Sequence, residues 1–178
     1  MREIKKLICN DAKFQQIKPF EFRSQWFQSV ALPLALKKSG NENIEIEKLD
    51  RQGMTIQVTN LARTFVDVID RIALSGGWEE VVRSISNMAV LDIDAVINYC
   101  LLLDNRILAA KVGFFLEQRQ GAFAVNEDLL KPLLKKKPLT PQSLVLHDKE
   151  SGQLIKKWNL ILPLHVLNKS WEEPNYDV

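Results

Sequence analysis

The hydrophobic period of the chain changes at residue 60, and this change constrains the fold more than any other feature. Before it, residues 43–49 and 54–59 alternate apolar with polar side chains at a period of two, which predicts strands. The turn between them contains Asp50 and Gly53, which suit a tight connection. The sequence therefore predicts an antiparallel hairpin followed by helices.

The first predicted helix begins at Leu61, where apolar residues start to recur every three or four positions. Its N-cap is Thr59 or Asn60, and Gly76 with Gly77 is expected to stop it. An apolar stripe is expected to pack this helix on the hairpin. The stripe consists of Leu61, Phe65, Val68 or Ile69, and Ile72.

Four further helices are predicted, at residues 78–88, 92–103, 106–120 and 126–137, the last with Pro132 restricting where it starts. The chain then returns to strands at 143–148 and 156–163, separated by a turn at 149–152. Residues 20–30 fit a strand or a helix equally well. The order predicts an α+β fold with antiparallel strands at the N- and C-terminal parts, packed on a central segment of four to five helices. We expect one domain over residues 1–178, with 1–40 poorly assigned.

Charge and cysteine content limit the classes of function. The formal charge is +2, too small to indicate nucleic-acid binding, whereas residues 61–104 carry three Lys and Arg against seven Asp and Glu. This acidic centre suits a protein partner with a basic face, and a solvated helical face explains it equally well. Cys9 and Cys100 form no metal or disulfide spacing, so reduced thiols in a cytoplasmic protein are expected. No membrane segment or secretory signal is predicted.

Two aspartates are the strongest candidates for catalysis. Asp67 and Asp70 lie three apart on one helical face, as an acid and base pair or metal ligands would. Arg63, however, lies four residues before Asp67, the spacing of an intrahelical ion pair. His147 and His165 lie in different predicted elements with no nucleophile motif nearby. We therefore predict no catalytic, cofactor or metal site.

A run of three lysines, Lys135, Lys136 and Lys137, is a candidate for phosphate contact. The alternative is an exposed helix end, where cations complement the helix dipole. Trp158 and Trp171 are predicted to anchor the core and the C-terminal tail.

Three segments in order, residues 58–85, 109–117 and 154–163, together resemble AbiEi-type antitoxins. Residues 58–85 are similar to that family's strand, E-R-T-hydrophobic-hydrophobic-D helix and Gly-Gly break. Residues 109–117, "AAKVGFFLE", are similar to its R-L-G-Y-L-L-E-like helix, and 154–163, "LIKKWNLILP", to its W-N-L-hydrophobic-V-P strand, followed here by 167–173. Ala62 departs from the pattern, because the family usually has Glu there.

The resemblance implies the C-terminal domain of a type IV toxin-antitoxin, or abortive-infection, regulator. Such a domain is a non-enzymatic α+β module without a cofactor, and its functional partner is a nucleotidyltransferase-like toxin. Family members carry a promoter-binding winged helix-turn-helix in front. Residues 1–40 show none, so we expect the C-terminal domain standing alone, either as a truncated protein or as one read from an internal start. The alternatives are a DNA-binding transcriptional regulator and a metal-dependent hydrolase or nuclease using Asp67 and Asp70.

The polar residues of the first segment receive a structural interpretation. Arg63, Thr64 and Asp67, with Gly76 and Gly77, are expected to stabilise the strand–helix junction rather than to catalyse a reaction.

Overall fold

The computed structural model describes residues 18–88, 90–144 and 152–168. The chain divides into two compact units, residues 1–42 and 43–178. Their boundary lies close to residue 40, where the poorly assigned N-terminal segment was predicted to end. The predictions for Cys9, His147 and Trp171, and for the strand beyond Leu144, fall outside the described residues.

Unit 1 contains a short hairpin and a short helix. Strand β1 (Phe20–Phe22) pairs antiparallel with β2 (Gln25–Phe27), and helix α1 follows at Leu34–Ser39. Arg23 and Ser24 form the turn with φ values of 51° and 60°. Two successive positive φ values are typical of a type I′ turn, which matches the twist of the flanking strands. The segment that fitted a strand or a helix is therefore a hairpin.

Unit 2 begins with the predicted hairpin, which is confirmed. Strand β3 (Ile46–Arg51) pairs antiparallel with β4 (Met54–Thr59). The two-residue turn contains Gln52 and Gly53, with φ values of 55° and 76°. The carboxylate of Asp50 accepts a hydrogen bond from the Gly53 N–H at 3.0 Å and so fixes this turn.

The helices of unit 2 are α2 Leu61–Asp70, α3 Gly77–Ser86, α4 Ile93–Leu102, α5 Arg106–Gln118, α6 Gln120–Phe123, α7 Glu127–Lys136 and α8 Leu164–Asn168. Side chains of Asn60, Asp92, Asn105 and Asn126 accept hydrogen bonds from the first turns of α2, α4, α5 and α7. The five predicted helices are confirmed. Pro132 lies inside α7 and does not determine its start.

The prediction that Gly76 and Gly77 stop α2 is wrong. The helix ends at Asp70, because Arg71 leaves the helical region with φ −119° and ψ 51°. A short 3-10 helix follows at Ile72–Leu74. Gly76 then precedes α3 in the left-handed region at φ 84°, so these glycines begin the next helix.

The packing of α2 also differs from the prediction. Its buried side packs mainly against α4 and α5, with only a small contact to β4. Leu61, predicted in the stripe, is 54% exposed, and most of the hairpin is exposed as well. The buried apolar residues of α2 are Ala62, Phe65, Val66 and Ile69.

A small sheet follows the helices, with strands β5 (Gln142–Ser143), β6 (Gly152–Ile155) and β7 (Leu160–Pro163) in the order β5-β7-β6. Strands β6 and β7 are antiparallel, whereas β5 runs parallel to β7, so the expectation of purely antiparallel pairing is wrong there. The predicted strand at 156–163 is also shorter, because residues 156–159 form the turn between β6 and β7.

The architecture is α+β, as predicted: small sheets flank a helical core in unit 2. The largest fully buried side chains include Trp158, Tyr99 and Phe65, which come from the sheet turn and two helices. None of the helices in the described ranges combines the length and apolar character that crossing a bilayer requires.

Candidate functional site

Arg63 is a charged residue in a core position, with 6% of its surface exposed. Its Nη1 donates a hydrogen bond to the Ile44 carbonyl oxygen at 2.9 Å, just before β3. Its guanidinium carbon lies 5.3 Å from the centre of the Tyr99 ring, and Nε lies 3.7 Å from Asp67 Oδ2. One side chain therefore links α2 to the chain entering the hairpin and to α4.

Asp67 lies between aromatic and cationic partners. Its Oδ1 accepts a hydrogen bond from the Tyr99 hydroxyl at 2.9 Å, and Oδ2 lies 3.9 Å from Arg71 Nη1. Burial, together with the carboxylate of Asp67, raises the pKa of Tyr99 well above its ordinary value. Tyr99 consequently stays protonated and donates one hydrogen bond to Asp67. Asp67 is one of the two carboxylates on which the hydrolase alternative depends.

Thr64 and Asn60 join the helix start to the hairpin ends. The hydroxyls of Thr64 and Thr59 form a hydrogen bond at 2.7 Å. Asn60 Oδ1 accepts from the Arg63 backbone N–H at 3.0 Å, while its Nδ2 donates to the Glu45 carboxylate and its backbone N–H to the Glu45 carbonyl at 3.0 Å. Glu45 has a φ of 54°, and these bonds hold that left-handed bend.

The structure thus places Arg63, Thr64 and Asp67 together at the junction, and Gly76 and Gly77 at the start of α3. Tyr99 was missed from sequence, because it stands in an apolar run and reads as an ordinary core residue. Ala62, at the position where the resemblance expects Glu, is buried, so a carboxylate there would require its own partner.

Asp70 lies on the same helix in a more buried setting than an ordinary surface carboxylate. Burial raises the pKa of Asp70, and the nearby cations Arg71 and Lys111 offset this only in part. Burial also lowers the pKa of Lys111, and the negative charge of Asp70 raises that pKa again in part. Asp70 on α2 and Lys111 on α5 are therefore both partly desolvated, and each favours the charged form of the other.

We expect Asp70→Asn to stabilise unit 2 at neutral pH and to flatten its pH dependence. The folded state holds the Asp70 proton more tightly than the unfolded chain, because its pKa is raised above the ordinary 3.8. Stability is therefore lost as the pH rises through the folded pKa, and the uncharged amide abolishes that loss. Melting temperatures between pH 3.5 and pH 8 measure the effect. Asp94→Asn, at an exposed carboxylate, is the control, and a less stable Asp70→Asn protein at pH 7 would contradict the prediction.

A second cluster joins α5 to the turn between β6 and β7. The Trp158 indole Nε1 donates to Glu117 Oε2 at 2.6 Å, and the Lys157 ammonium donates to the other oxygen of Glu117. One turn earlier on α5, Gly113 faces the same indole: a Cβ built there would lie 2.2 Å from the ring. Only glycine at 113 allows this approach. We call Gly113, Glu117 and Trp158 the tryptophan lock.

The three candidate lysines differ in their surroundings. The Lys136 ammonium pairs with the Asp104 carboxylate, and the Lys137 ammonium donates to the Lys157 carbonyl oxygen at 2.6 Å. Lys135 is exposed and makes no hydrogen bond or ion pair with other described residues. Of the three lysines predicted to contact phosphate, Lys135 is thus the available one. Lys136 holds Asp104 after α4, and Lys137 holds the Lys157 carbonyl after β6.

Among the side chains that the structure describes, no group of three or more His, Cys, Asp and Glu residues is arranged to hold a metal ion. Cys100 is a buried free thiol, and burial raises its pKa to about 12. It is therefore a neutral, unreactive thiol at physiological pH.

No family model, no curated protein and no solved structure matches the chain. The resemblance to AbiEi-type antitoxins therefore stays a prediction.

Proposed function

We propose that unit 2 is a non-enzymatic, antitoxin-like regulatory module that counteracts a nucleotidyltransferase-type toxin of a type IV toxin-antitoxin, or abortive-infection, system. The observation that supports this most is the tryptophan lock. Its Gly113 and Glu117 come from one segment of the resemblance and its Trp158 from another. Two motifs of the family that are far apart in sequence are thus in direct contact here, through the Trp158 indole.

The polar residues of the first segment support a role without catalysis. Asp67 accepts from Tyr99 and lies close to two arginines, and Arg63 is bonded to the Ile44 carbonyl. These contacts hold α2 to α4 and to the hairpin, so Arg63 and Asp67 have a role in stability that requires no catalysis. We therefore assign the function of unit 2 to its exposed surface.

The exposed acidic residues favour a basic partner surface. Glu80 lies exposed in the first turn of α3, next to the exposed ion pair of Glu79 with Arg83, and Asp92 and Asp94 lie exposed at the start of α4. Carboxylates of this kind attract a partner with a positive face and repel DNA phosphates. The proposed partner is the toxin, whose action the module opposes with or without a stable complex.

The test is a growth assay in which the full chain and the product of the neighbouring gene are induced separately. The proposal expects the chain to restore growth. Asp70→Asn keeps the fold and should restore growth equally, whereas the hydrolase alternative expects this variant to fail. Gly113→Val, which inserts side-chain atoms into the Trp158 ring, is the misfolded control and should not restore growth.

Promoter binding by the same chain, measured over a series of salt concentrations, tests the alternative of a DNA-binding regulator. Growth restored without salt-dependent binding supports the proposal. Tight binding that weakens steeply with salt, and that Lys135→Ala reduces, would favour the regulator instead. Loss of rescue in Asp70→Asn, with metal-dependent turnover by the unmodified chain, would replace the proposal with an enzyme.

A further inference from the structure

Strand β3 has an outer edge with which no other described strand pairs. It pairs with β4 on one side only, in a two-stranded sheet, and five of its six residues are exposed. A hairpin of two strands is marginally stable alone, and a free edge presents backbone N–H and C=O groups to any strand that fits. Natural proteins often protect such an edge with charges, and β3 carries four.

The charges of β3 are arranged symmetrically about Leu49. The sequence reads Glu47, Lys48, Leu49, Asp50, Arg51. If a second β3 runs antiparallel with its Leu49 opposite the first, then Lys48 faces Asp50 and Glu47 faces Arg51, on both sides of the two-fold axis. Each of these charges is thus opposite an unlike charge of the other copy. Glu47, Lys48 and Arg51 form no ion pairs with described residues, so they are available.

The backbone directions fit the same alignment. Arg51 and Met54 flank the two-residue turn, and a type I′ turn makes such a flanking pair hydrogen-bonded. Hydrogen-bonded pairs alternate along the ladder, so the backbone groups of residues 47, 49 and 51 point toward β4. Those of Lys48 and Asp50 then point to the free edge, where they would exchange four hydrogen bonds with Asp50 and Lys48 of a second copy.

We propose that the chain forms a symmetric homodimer through β3, which joins the two hairpins into a four-stranded antiparallel sheet in the order β4-β3-β3-β4. Leu49 faces its equivalent at the two-fold axis as a non-hydrogen-bonded pair. The exposed apolar residues Leu49, Met54 and Ile56 lie on one face of the hairpin and become one stripe across the sheet. The second copy is favoured over another partner, because the charge pattern of β3 is its own complement.

Cysteine cross-linking tests the alignment on the full chain carrying Cys9→Ser. In the dimer, Leu49→Cys places two thiols opposite each other, within reach of a disulfide. Ile56→Cys is the matched control, since Ile56 is 40% exposed and Leu49 is 38% exposed on the same face. Its thiols would be about 14 Å apart, three strand spacings, and too far to join. Mild oxidation should give a covalent dimer for Leu49→Cys alone. No cross-link, or equal cross-linking of both variants, overturns the proposal.

Charge reversal tests the pairing of unlike charges between the two β3 strands. Association is measured by sedimentation equilibrium over a range of protein concentrations. Glu47→Arg puts like charges opposite each other twice and should weaken association about tenfold or more. Glu47→Arg with Arg51→Glu restores opposite signs and should restore association. A monomer at all concentrations, or a dimer that the single reversal leaves unchanged, overturns the proposal, as does failure of the double reversal to recover association.

Discussion

Replacing Gly113 by alanine is expected to destabilise unit 2 by about 3 kcal/mol or more, the upper range for overpacking a rigid core. The added methyl would lie 2.2 Å from the Trp158 ring, and Trp158 is fully buried and held by Glu117. Neither the indole nor α5 can move without breaking other contacts. The melting temperature of the full chain should fall by roughly 10 °C, from about 3 °C for each kcal/mol in a domain of this size.

Gly121→Ala is the matched control for this prediction. Gly121 lies in helix α6 with nothing within 4 Å of an added Cβ, so the same change should be neutral or slightly stabilising. Trp158→Phe provides a second check, because the shorter ring leaves room for the methyl. Combined with Gly113→Ala, it should cost less than the sum of the two single changes. Strict additivity, or a wild-type melting temperature for Gly113→Ala, would contradict the tryptophan lock.

The features predicted from sequence are those that short segments determine by themselves. Asp50 and Gly53 indicated the hairpin turn, and Asn60 and Asp92 indicated helix starts, because turn and cap chemistry acts over a few residues. The strand order in the last sheet was not predictable in this way. There β5 pairs parallel with β7 through long-range contacts that no local pattern encodes.

The site shows the same division between local and long-range contacts. The spacing of Arg63 and Asp67 indicates an ion pair on one helix, and the two side chains do lie 3.7 Å apart. The partners that give this pair its role are Tyr99 and the Ile44 carbonyl, which depend on how α4 and the hairpin dock against α2. Likewise, Trp158 was predicted as a core anchor, but its approach to Gly113 follows only from the docked α5.

Removal of the Arg63 side chain is the second change with a large expected effect. Arg63→Ala removes the hydrogen-bond donor of the Ile44 carbonyl. It also removes the cation that lies beside Asp67 and the Tyr99 ring, at a buried position. Losing one partner of a mostly buried charged network costs about 3 kcal/mol. The melting temperature should fall by roughly 10 °C, while growth rescue at low temperature is retained, because the residue acts on stability.

Two further substitutions isolate the reason for this loss. Arg83→Ala removes an arginine from an exposed pair with Glu79, whose oxygen lies 2.5 Å away, and should change stability by less than about 0.5 kcal/mol. Arg63→Lys keeps the charge but lacks the planar fork that contacts Ile44, Asp67 and the Tyr99 ring together, so it should recover only part of the stability. An Arg63→Ala protein as stable as Arg83→Ala would show that the junction does not depend on this residue. Full recovery by lysine would show that charge alone, and not the shape of the guanidinium, holds α2 to the hairpin and α4.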